Sequence, residues 1–246
     1  MGLVVALVAH PAAAGWPPFL PAPDALPSGI VAAVEEVWRD PTLVRTVQGE
    51  PLAVPLELYR VFFDAPDVTA AAARHLGVAR YRVSLVGDRT YEADDRDGAR
   101  GVYVVLAEGP ERRVLLSTGQ HRGALLGTIG GRALTVVTLE ERSGAVVPQL
   151  TAYVRIENAL AAALARALIP LFGHIADRKL AEGFRVTAAV VDWASQAPDE
   201  FCRWLAGAEI PPARAAHVAA ALGGCGLARS APVAPASRDS RRGAAR

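Results

Sequence analysis

The sequence predicts an α+β fold in which an antiparallel sheet packs against one long C-terminal helix. Short β-type segments follow one another with turn residues and no helix between them, which predicts an antiparallel meander. The last of these segments alternates apolar and polar residues, and a long helix with an apolar periodicity comes directly after it. A Rossmann fold or a parallel barrel is excluded because both need a helix between successive strands.

The first fourteen residues resemble a secretory signal peptide. An apolar run from Leu3 to Ala9 is followed by Pro11 and by three alanines that end before Gly15. No Lys or Arg precedes the apolar run, so only the amino terminus supplies positive charge. We therefore expect a periplasmic or secreted protein, with a cytoplasmic protein and a buried N-terminal strand as the alternative.

Composition and charge exclude several classes of protein. The chain is 52% hydrophobic and 21% charged, as folded proteins are, and its net charge of +1 provides no field to attract nucleic acid. The sequence has no uninterrupted stretch of the roughly 20 apolar residues that a membrane span needs. Cys202 and Cys225 have no metal-ligand spacing, so they form either one disulfide or two free thiols. The oligomeric state is not predicted.

Before the sheet, residues 15–52 are expected to form a lead-in. Its stretch from Trp16 to Pro27 contains five prolines, which indicates extended chain. A short amphipathic helix is predicted for Ser28 to Asp40, ended by Pro41. The main domain is then expected over 53–196.

The main domain is predicted to open with a strand from Ala53 to Phe63, in which Pro55 indicates an edge or a strand start. A helix from Val68 to Leu76 follows and ends at Gly77. The meander then has five predicted strands: Arg80–Val86, Arg89–Ala93, Gly101–Ala107, Arg113–Thr118 and Ala124–Ile129. The glycines at 127, 130 and 131 are expected in a turn or bulge, and Arg113 is expected to be a solubilising charge at a strand end.

A hairpin and the long helix complete the domain. The hairpin pairs Ala133–Glu140 with Ala145–Ile156, and Asn158 is the expected N-cap of a helix that extends to Ser195. One straight helix of that length would span roughly 57 Å, so we expect it to divide at Pro170. Asp177 is predicted on its solvated side. Residues 197–227 are expected to form a helical extension, and 228–246 a disordered tail.

Two segments resemble the START-like, or polyketide-cyclase-like, helix-grip superfamily (SRPBCC), including uncharacterised exported bacterial members. They are VFFDAPDVTAAAARHL at 61–76 and LTAYVRIENALAAALARALIPLFGHIADRKLAEGFRVTAAVVDW at 150–193. The chain departs from the family where a second helix usually follows the first, because Gly77 leads directly into β-type sequence. The resemblance implies a helix-grip fold, in which a curved antiparallel sheet encloses the C-terminal helix and leaves an apolar cavity.

The resemblance also implies which residues line that cavity. The expected lining residues come from the last strand and the long helix: Leu150, Val154, Phe172, Ile175, Leu180 and Phe184. Tyr153, Arg155 and His174 are candidates for polar contacts with a ligand, although the alternation of the last strand favours a solvated outer face for Tyr153 and Arg155. The sequence indicates no catalytic residue, no metal ligands and no cofactor site. Asp94, Asp95 and Asp97 lack the flanking ligands of a calcium loop and are expected in a hairpin turn.

Three functions are compatible with these features. The first is the binding or transport of a hydrophobic, lipid-like molecule, with transient contact to a membrane. The second is a cyclase-type or dehydratase-type enzyme that uses the same cavity and needs two titratable groups within hydrogen-bond reach. The third is a packed interaction module without a pocket.

Overall fold

The computed structural model of the chain describes residues 15–123, 127–223 and 225, with side chains except those of 166–176 and 179. The predicted signal peptide at 1–14 and the predicted tail at 228–246 therefore lie outside the described residues.

Helix α1 (Ser28–Arg39) forms as predicted and packs on the outer face of the sheet. Its apolar positions Val34 and Val37 are three residues apart and are completely buried. They pack with Leu134 and Tyr153 of the sheet, and Trp16 and Phe19 of the proline-rich lead-in pack against the same cluster.

The predicted opening strand at 53–63 is wrong, because helix α2 (Leu56–Asp64) occupies this segment. Pro55 is its N-cap residue, and Tyr59 and Phe62, three residues apart, face the core with 1% exposure each. The strand that opens the sheet is β1 (Leu43–Gln48), which lies in the lead-in segment. Over this short run the apolar residues fit both a period of two and a helical period of 3.6, so the pattern did not separate a strand from a helix.

Helix α3 (Pro66–His75) follows α2 directly and confirms the helix predicted for Val68–Leu76. Gly77 ends it in the left-handed region, at φ +69°, and its N–H donates to the Arg74 carbonyl. The chain thus has two helices between β1 and the meander. The expected departure from the family, a missing second helix, is therefore wrong. The segment predicted as the opening strand is the helix α2.

Within the part of the chain that the structure describes, the sheet has seven strands in the order β1-β7-β6-β5-β4-β3-β2, and every neighbouring pair is antiparallel. The strands after β1 are β2 (Arg82–Gly87), β3 (Thr90–Asp94), β4 (Ala99–Glu108), β5 (Arg112–Gly123), β6 (Gly127–Arg142) and β7 (Ala145–Ile156). Four strands of the predicted meander and the final hairpin are confirmed. The separate strand predicted for Ala124–Ile129 is wrong, because residues 127–129 belong to β6 and continue without a break into the first strand of the hairpin. Residues 124–126 lie outside the described residues.

A row of glycines crosses three strands of this sheet. Gly101 lies opposite Gly119, and Gly119 lies opposite Gly131. A Cβ atom on Gly101 would come within 2.7 Å of the Thr118 carbonyl oxygen, so the strands approach too closely for a side chain. Gly130 and Gly131 therefore lie inside β6, and the turn or bulge predicted for them is wrong.

Helix α4 (Ala159–Gln196) is continuous over 38 residues and lies against β1, β7, α2 and α3. Asn158 caps it as predicted, since its side-chain oxygen accepts a hydrogen bond of 2.9 Å from the Ala161 N–H. The predicted division at Pro170 is wrong. A proline removes a single donor, and the helix hydrogen bonds on both sides of it persist.

Two short helices form the C-terminal extension, as predicted: α5 (Pro198–Gly207) and α6 (Pro212–Ala221). A disulfide joins Cys202 of α5 to Cys225, which settles the alternative between a disulfide and free thiols. Phe201 and Leu205 of α5 are buried in the main core together with residues of α2, α3 and α4.

The arrangement is the predicted α+β helix-grip fold: a curved antiparallel sheet with α4 on one face. We call the face toward α4 the inner face and the face toward α1 the outer face. Among the residues that the structure describes, no helix combines the length and apolar character needed to cross a membrane.

Candidate functional site

A pocket of about 290 Å³ lies between the inner face of the sheet, helices α2 and α3, and the C-terminal part of α4. Inward-facing residues of successive strands form its floor, because alternate side chains of a strand share one face. The apolar residues around it include Phe63, Val105, Leu115, Val137, Leu150 and Leu180. The space is thus enclosed by side chains from distant parts of the chain.

Three of the predicted lining residues border this pocket. Leu150 extends from β7, and Leu180 and Phe184 lie one helical turn apart on α4. Val154 is on the same face of β7 as Leu150 but lies farther along the strand, outside the pocket lining. The side chains of Phe172, His174 and Ile175 lie outside those that the structure describes.

Tyr153 and Arg155 point away from the pocket, to the outer face. Tyr153 is 8% exposed and packs against Trp38 of α1, with a ring-centroid distance of 4.9 Å. Arg155 donates to a side-chain oxygen of Asp40 at 2.7 Å and pairs with Glu36 at 3.2 Å. The alternation thus placed Tyr153 and Arg155 correctly on the outer face. This face is covered by α1 rather than solvated, and neither residue borders the pocket.

Four charged side chains form a network at the exposed end of the pocket, which we call the mouth. Arg113 of β5 forms ion pairs with Asp64 at the end of α2 and with Glu108 of β4, the latter at 3.2 Å. Glu108 also pairs with Arg89 of the β2–β3 turn at 3.1 Å. The mouth therefore joins α2, the β2–β3 turn and the β4–β5 turn.

Sequence reasoning missed the role of Arg113. Its side chain is only 6% exposed, and its guanidinium carbon lies 5.7 Å from the centre of the Phe63 ring. The available signal was the period of β5, since Arg113 shares its face with Leu115. A charged residue in phase with the inward-facing positions predicts a buried partner rather than a solubilising charge.

Burial raises the pKa of the Asp64 carboxyl, and the charge and hydrogen bond of Arg113 oppose that shift. This carboxyl is the acidic group at the mouth that is most withdrawn from water, with its side chain 25% exposed against 46% for Glu108. Asp64 is thus a carboxyl with a raised pKa at the pocket, and its ion-pair partner Arg113 lies within hydrogen-bond reach.

Four tyrosines border the pocket: Tyr59, Tyr81, Tyr91 and Tyr103. Burial raises the pKa of each phenol above its usual value, to about 12 for Tyr81. They are therefore neutral at physiological pH, and their rings extend the apolar wall. Tyr91 and Tyr103 stack on each other with their ring centres 5.1 Å apart.

A buried ion pair connects the sheet with α4 beside the pocket. Arg45 of β1 is 7% exposed, and its Nε lies 3.7 Å from Oδ1 of Asp177, which is also 7% exposed. The prediction that Asp177 lies on the solvated side of the helix is therefore wrong. Arg45 shares the inner face of β1 with Val47, which is paired with Leu150, so the ion pair lies one step along the sheet from the pocket.

The described residues contain no group of three or more His, Cys, Asp or Glu side chains that could hold a metal ion. Within the acidic cluster, Asp95 accepts hydrogen bonds from the backbone N–H groups of Asp97 and Ala99, at 2.7 and 2.8 Å. These bonds stabilise the turn between β3 and β4, as the sequence analysis expected.

No protein-family model matches the sequence. No curated protein matches it either. Among solved structures, the chain is similar to a conserved protein from Geobacillus kaustophilus, with 16% identity, a TM-score of 0.44, and coverage of 61% of this chain and 93% of that protein.

Two further structures match over the same share of the chain. A protein from Rhizobium leguminosarum has 14% identity and a TM-score of 0.43, with 94% of its own chain covered. The protein Ara h 8.0201 has 13% identity and a TM-score of 0.41, with 98% of its chain covered. Because these identities and scores are low, the fold assignment rests on the strand order and helix placement themselves.

Proposed function

We propose that this chain is a START-like protein that binds or transports a hydrophobic small molecule in the pocket between the sheet and α4. The observation that carries the proposal is the pocket itself, about 290 Å³ in volume, with apolar walls and a charged mouth. Small-molecule sites in proteins have this character and measure roughly 300–1,000 Å³. The small volume favours a compact ligand.

Binding would be driven by removing apolar ligand surface from water, at roughly 25 cal/mol per Å² buried. Entry is proposed at the mouth, where Arg89 and Glu108 are both nearly half exposed. An ion pair between exposed side chains contributes only about 0–1 kcal/mol, so opening it for a ligand is inexpensive. The buried pair between Arg113 and Asp64 keeps the rest of the mouth in place.

The proposal includes an exported location and transient contact with a membrane, from which the ligand would be taken up. The Cys202–Cys225 disulfide supports the exported location, since structural disulfides persist mainly in oxidising compartments. Export of a tagged protein followed by fractionation tests it, and recovery of the chain with reduced thiols in the cytoplasm would contradict it.

Ligand binding is tested by titrating the protein with phenylnaphthylamine, a neutral fluorescent probe, and by mass spectrometry of organic extracts of the purified protein. Gly183 of α4 borders the pocket, and no atom lies within 4 Å of a Cβ built on it. Gly183→Leu should fill the pocket and weaken probe binding about tenfold or more. Gly29→Leu on α1, where a Cβ also meets nothing, is the matched control and should bind normally.

The proposal would be contradicted if organic extracts of the purified protein contained no bound compound and the protein did not bind the probe. Equal binding by the Gly183→Leu variant, the Gly29→Leu variant and the unchanged protein would show that the probe occupies another site.

The pair of Asp64 and Arg113 favours a second candidate, an enzyme of the cyclase or dehydratase type. Acid–base chemistry needs titratable groups beside the bound substrate, and Asp64 has a raised pKa at the pocket. If Asp64 transfers protons, compounds extracted from the Asp64→Asn variant should differ in mass or isomeric form from those of the unchanged protein. If the folded variant and the unchanged protein carry identical compounds, the enzyme hypothesis is rejected and the binding function remains.

A further inference from the structure

The carboxylate of Glu108 lies between two arginines at the mouth of the pocket. One of its oxygens, Oε2, is 3.1 Å from Nη2 of Arg89, and the other, Oε1, is 3.2 Å from Nη2 of Arg113. The three residues come from the β2–β3 turn, the end of β4 and the start of β5. A single anionic group thus bridges two cationic groups at the entrance to an apolar space.

Arg113 does not depend on Glu108 for its position. It also pairs with Asp64, donates to the carbonyl oxygens of Gly109 and Arg112, and lies over the ring of Phe63. With its side chain 6% exposed, it is a buried cation held from several directions. If Glu108 moved away, Arg113 would stay in place, still paired with Asp64, and its Nη2 would be open to another acceptor from the mouth.

Glu108, by contrast, can leave easily. Its side chain is 46% exposed, and its partner Arg89 is 43% exposed, so water can solvate both when they separate. Without Glu108, the network at the mouth has two arginines, Arg89 and Arg113, and one carboxylate, Asp64, which pairs with Arg113. The mouth then has an excess of positive charge and a place for one anion.

We propose that the ligand is a compact amphiphilic anion, a monocarboxylate in chemical class, whose anionic group replaces the Glu108 carboxylate between Arg89 and Arg113. Its apolar body would occupy the pocket behind. Charge-assisted hydrogen bonds to arginine are about twice as strong as neutral ones, which favours a carboxylate over an alcohol of the same length. This inference rests on the proposed binding function and specifies the ligand of the same site.

The test measures how well decanoate and decanol displace phenylnaphthylamine from the protein. The two competitors share their chain and differ in the charged group. Decanoate should bind about tenfold more tightly than decanol, and Glu108→Gln should tighten decanoate binding further by removing the internal competitor. Arg89→Gln should weaken decanoate binding several-fold and leave decanol unchanged.

Glu111→Gln is the matched control. Glu111 is exposed in the turn between β4 and β5, and its substitution changes the net charge equally without removing a group from the Arg89–Glu108–Arg113 network. It should affect decanoate binding far less than Glu108→Gln does. Thermal unfolding of all three variants should stay close to that of the unchanged protein, because each replaced side chain is largely exposed.

The outcomes separate the two proposals. Equal affinities for decanoate and decanol, unchanged in Glu108→Gln, would overturn the anionic ligand and leave a hydrophobic binding protein. Equal effects of Glu108→Gln and Glu111→Gln would also overturn it, because the preference would then follow overall charge. Failure of the probe and both competitors to bind would reject the proposed function itself, and this inference with it.

Discussion

Arg214 of α6 binds both carboxylate oxygens of Asp67 on α3, with N–O distances of 3.0 and 2.5 Å. The side chain of Asp67 is 8% exposed and that of Arg214 is 17% exposed, so the pair is largely removed from water. A two-pronged contact of this kind fixes orientation as well as distance. It holds α6 of the C-terminal extension against α3, which borders the pocket. The Cys202–Cys225 disulfide lies within the extension and joins its end to α5.

Arg214→Ala is expected to lower the free energy of unfolding by about 3 kcal/mol, since it leaves the carboxylate of Asp67 buried without its partner. Urea denaturation followed by circular dichroism measures the change. Arg203→Ala is the control, because Arg203 is exposed on neighbouring α5 and should matter little. A loss for Arg214→Ala no larger than that of the control would show that the extension is held by apolar packing alone.

The disulfide should stabilise the extension independently of this ion pair. It closes a segment with a sequence separation of 23, and chain entropy predicts a loss of roughly 3 kcal/mol when it is removed. The Cys202→Ser/Cys225→Ser double variant should melt at a lower temperature than the unchanged protein. Dithiothreitol should lower the melting temperature of the unchanged protein and leave that of the variant as it was; an equal response of both would contradict the prediction.

The tyrosines should make the fold sensitive to alkaline pH. The chain has five tyrosines, and burial raises the pKa of every one above 10.0. A phenol with a raised pKa in the folded state contributes stability below the unfolded pKa of 10.0 and loses it as pH rises through the folded value, about 12 for Tyr81. Stability should therefore fall above pH 10, most steeply toward pH 12.

Phenolate absorbance measures this directly. Little tyrosine should ionise near pH 10 in the folded protein, and most of the signal should appear together with the loss of circular dichroism. Ordinary titration of several tyrosines near pH 10 in a protein that stays folded would contradict the burial of these rings.

Gly49 should be required for the contact between the end of β1 and α4. A Cβ atom at this position would lie 2.8 Å from Cγ of Pro148 and 2.9 Å from Cβ of Phe184, closer than such atoms pack. Gly49→Ala should lower stability by about 1–3 kcal/mol and weaken probe binding, because Phe184 borders the pocket. In Gly87→Ala the new Cβ meets Thr90 at an ordinary 3.5 Å, so this control should behave like the unchanged protein.

The sequence by itself determined the elements whose evidence is local. Alternation over β7, the turn residues that join the strands from β2 to β5, and the capping residue Asn158 depend on neighbours within a few positions, and the structure confirms each of them. The order of these elements was enough to predict an α+β sheet packed on a long helix. The family resemblance, rather than the local pattern, implied the cavity-lining residues, and three of these, Leu150, Leu180 and Phe184, border the pocket.

Only the tertiary structure decided how distant segments meet. Alternation over 53–63 suited a strand, but Tyr59 and Phe62 gain more burial as one face of α2 against α4 and α5. The helical pattern predicted Asp177 on the solvated side, but in the fold Arg45 of β1 lies 3.7 Å from its carboxylate. The mouth depends on a contact between Arg113 and Asp64, which are 49 residues apart in the chain. The position of the extension depends on a contact between Asp67 and Arg214, which are 147 residues apart. Periodicity records which side of an element is apolar, whereas a buried charge is stable only beside a partner that the fold alone supplies.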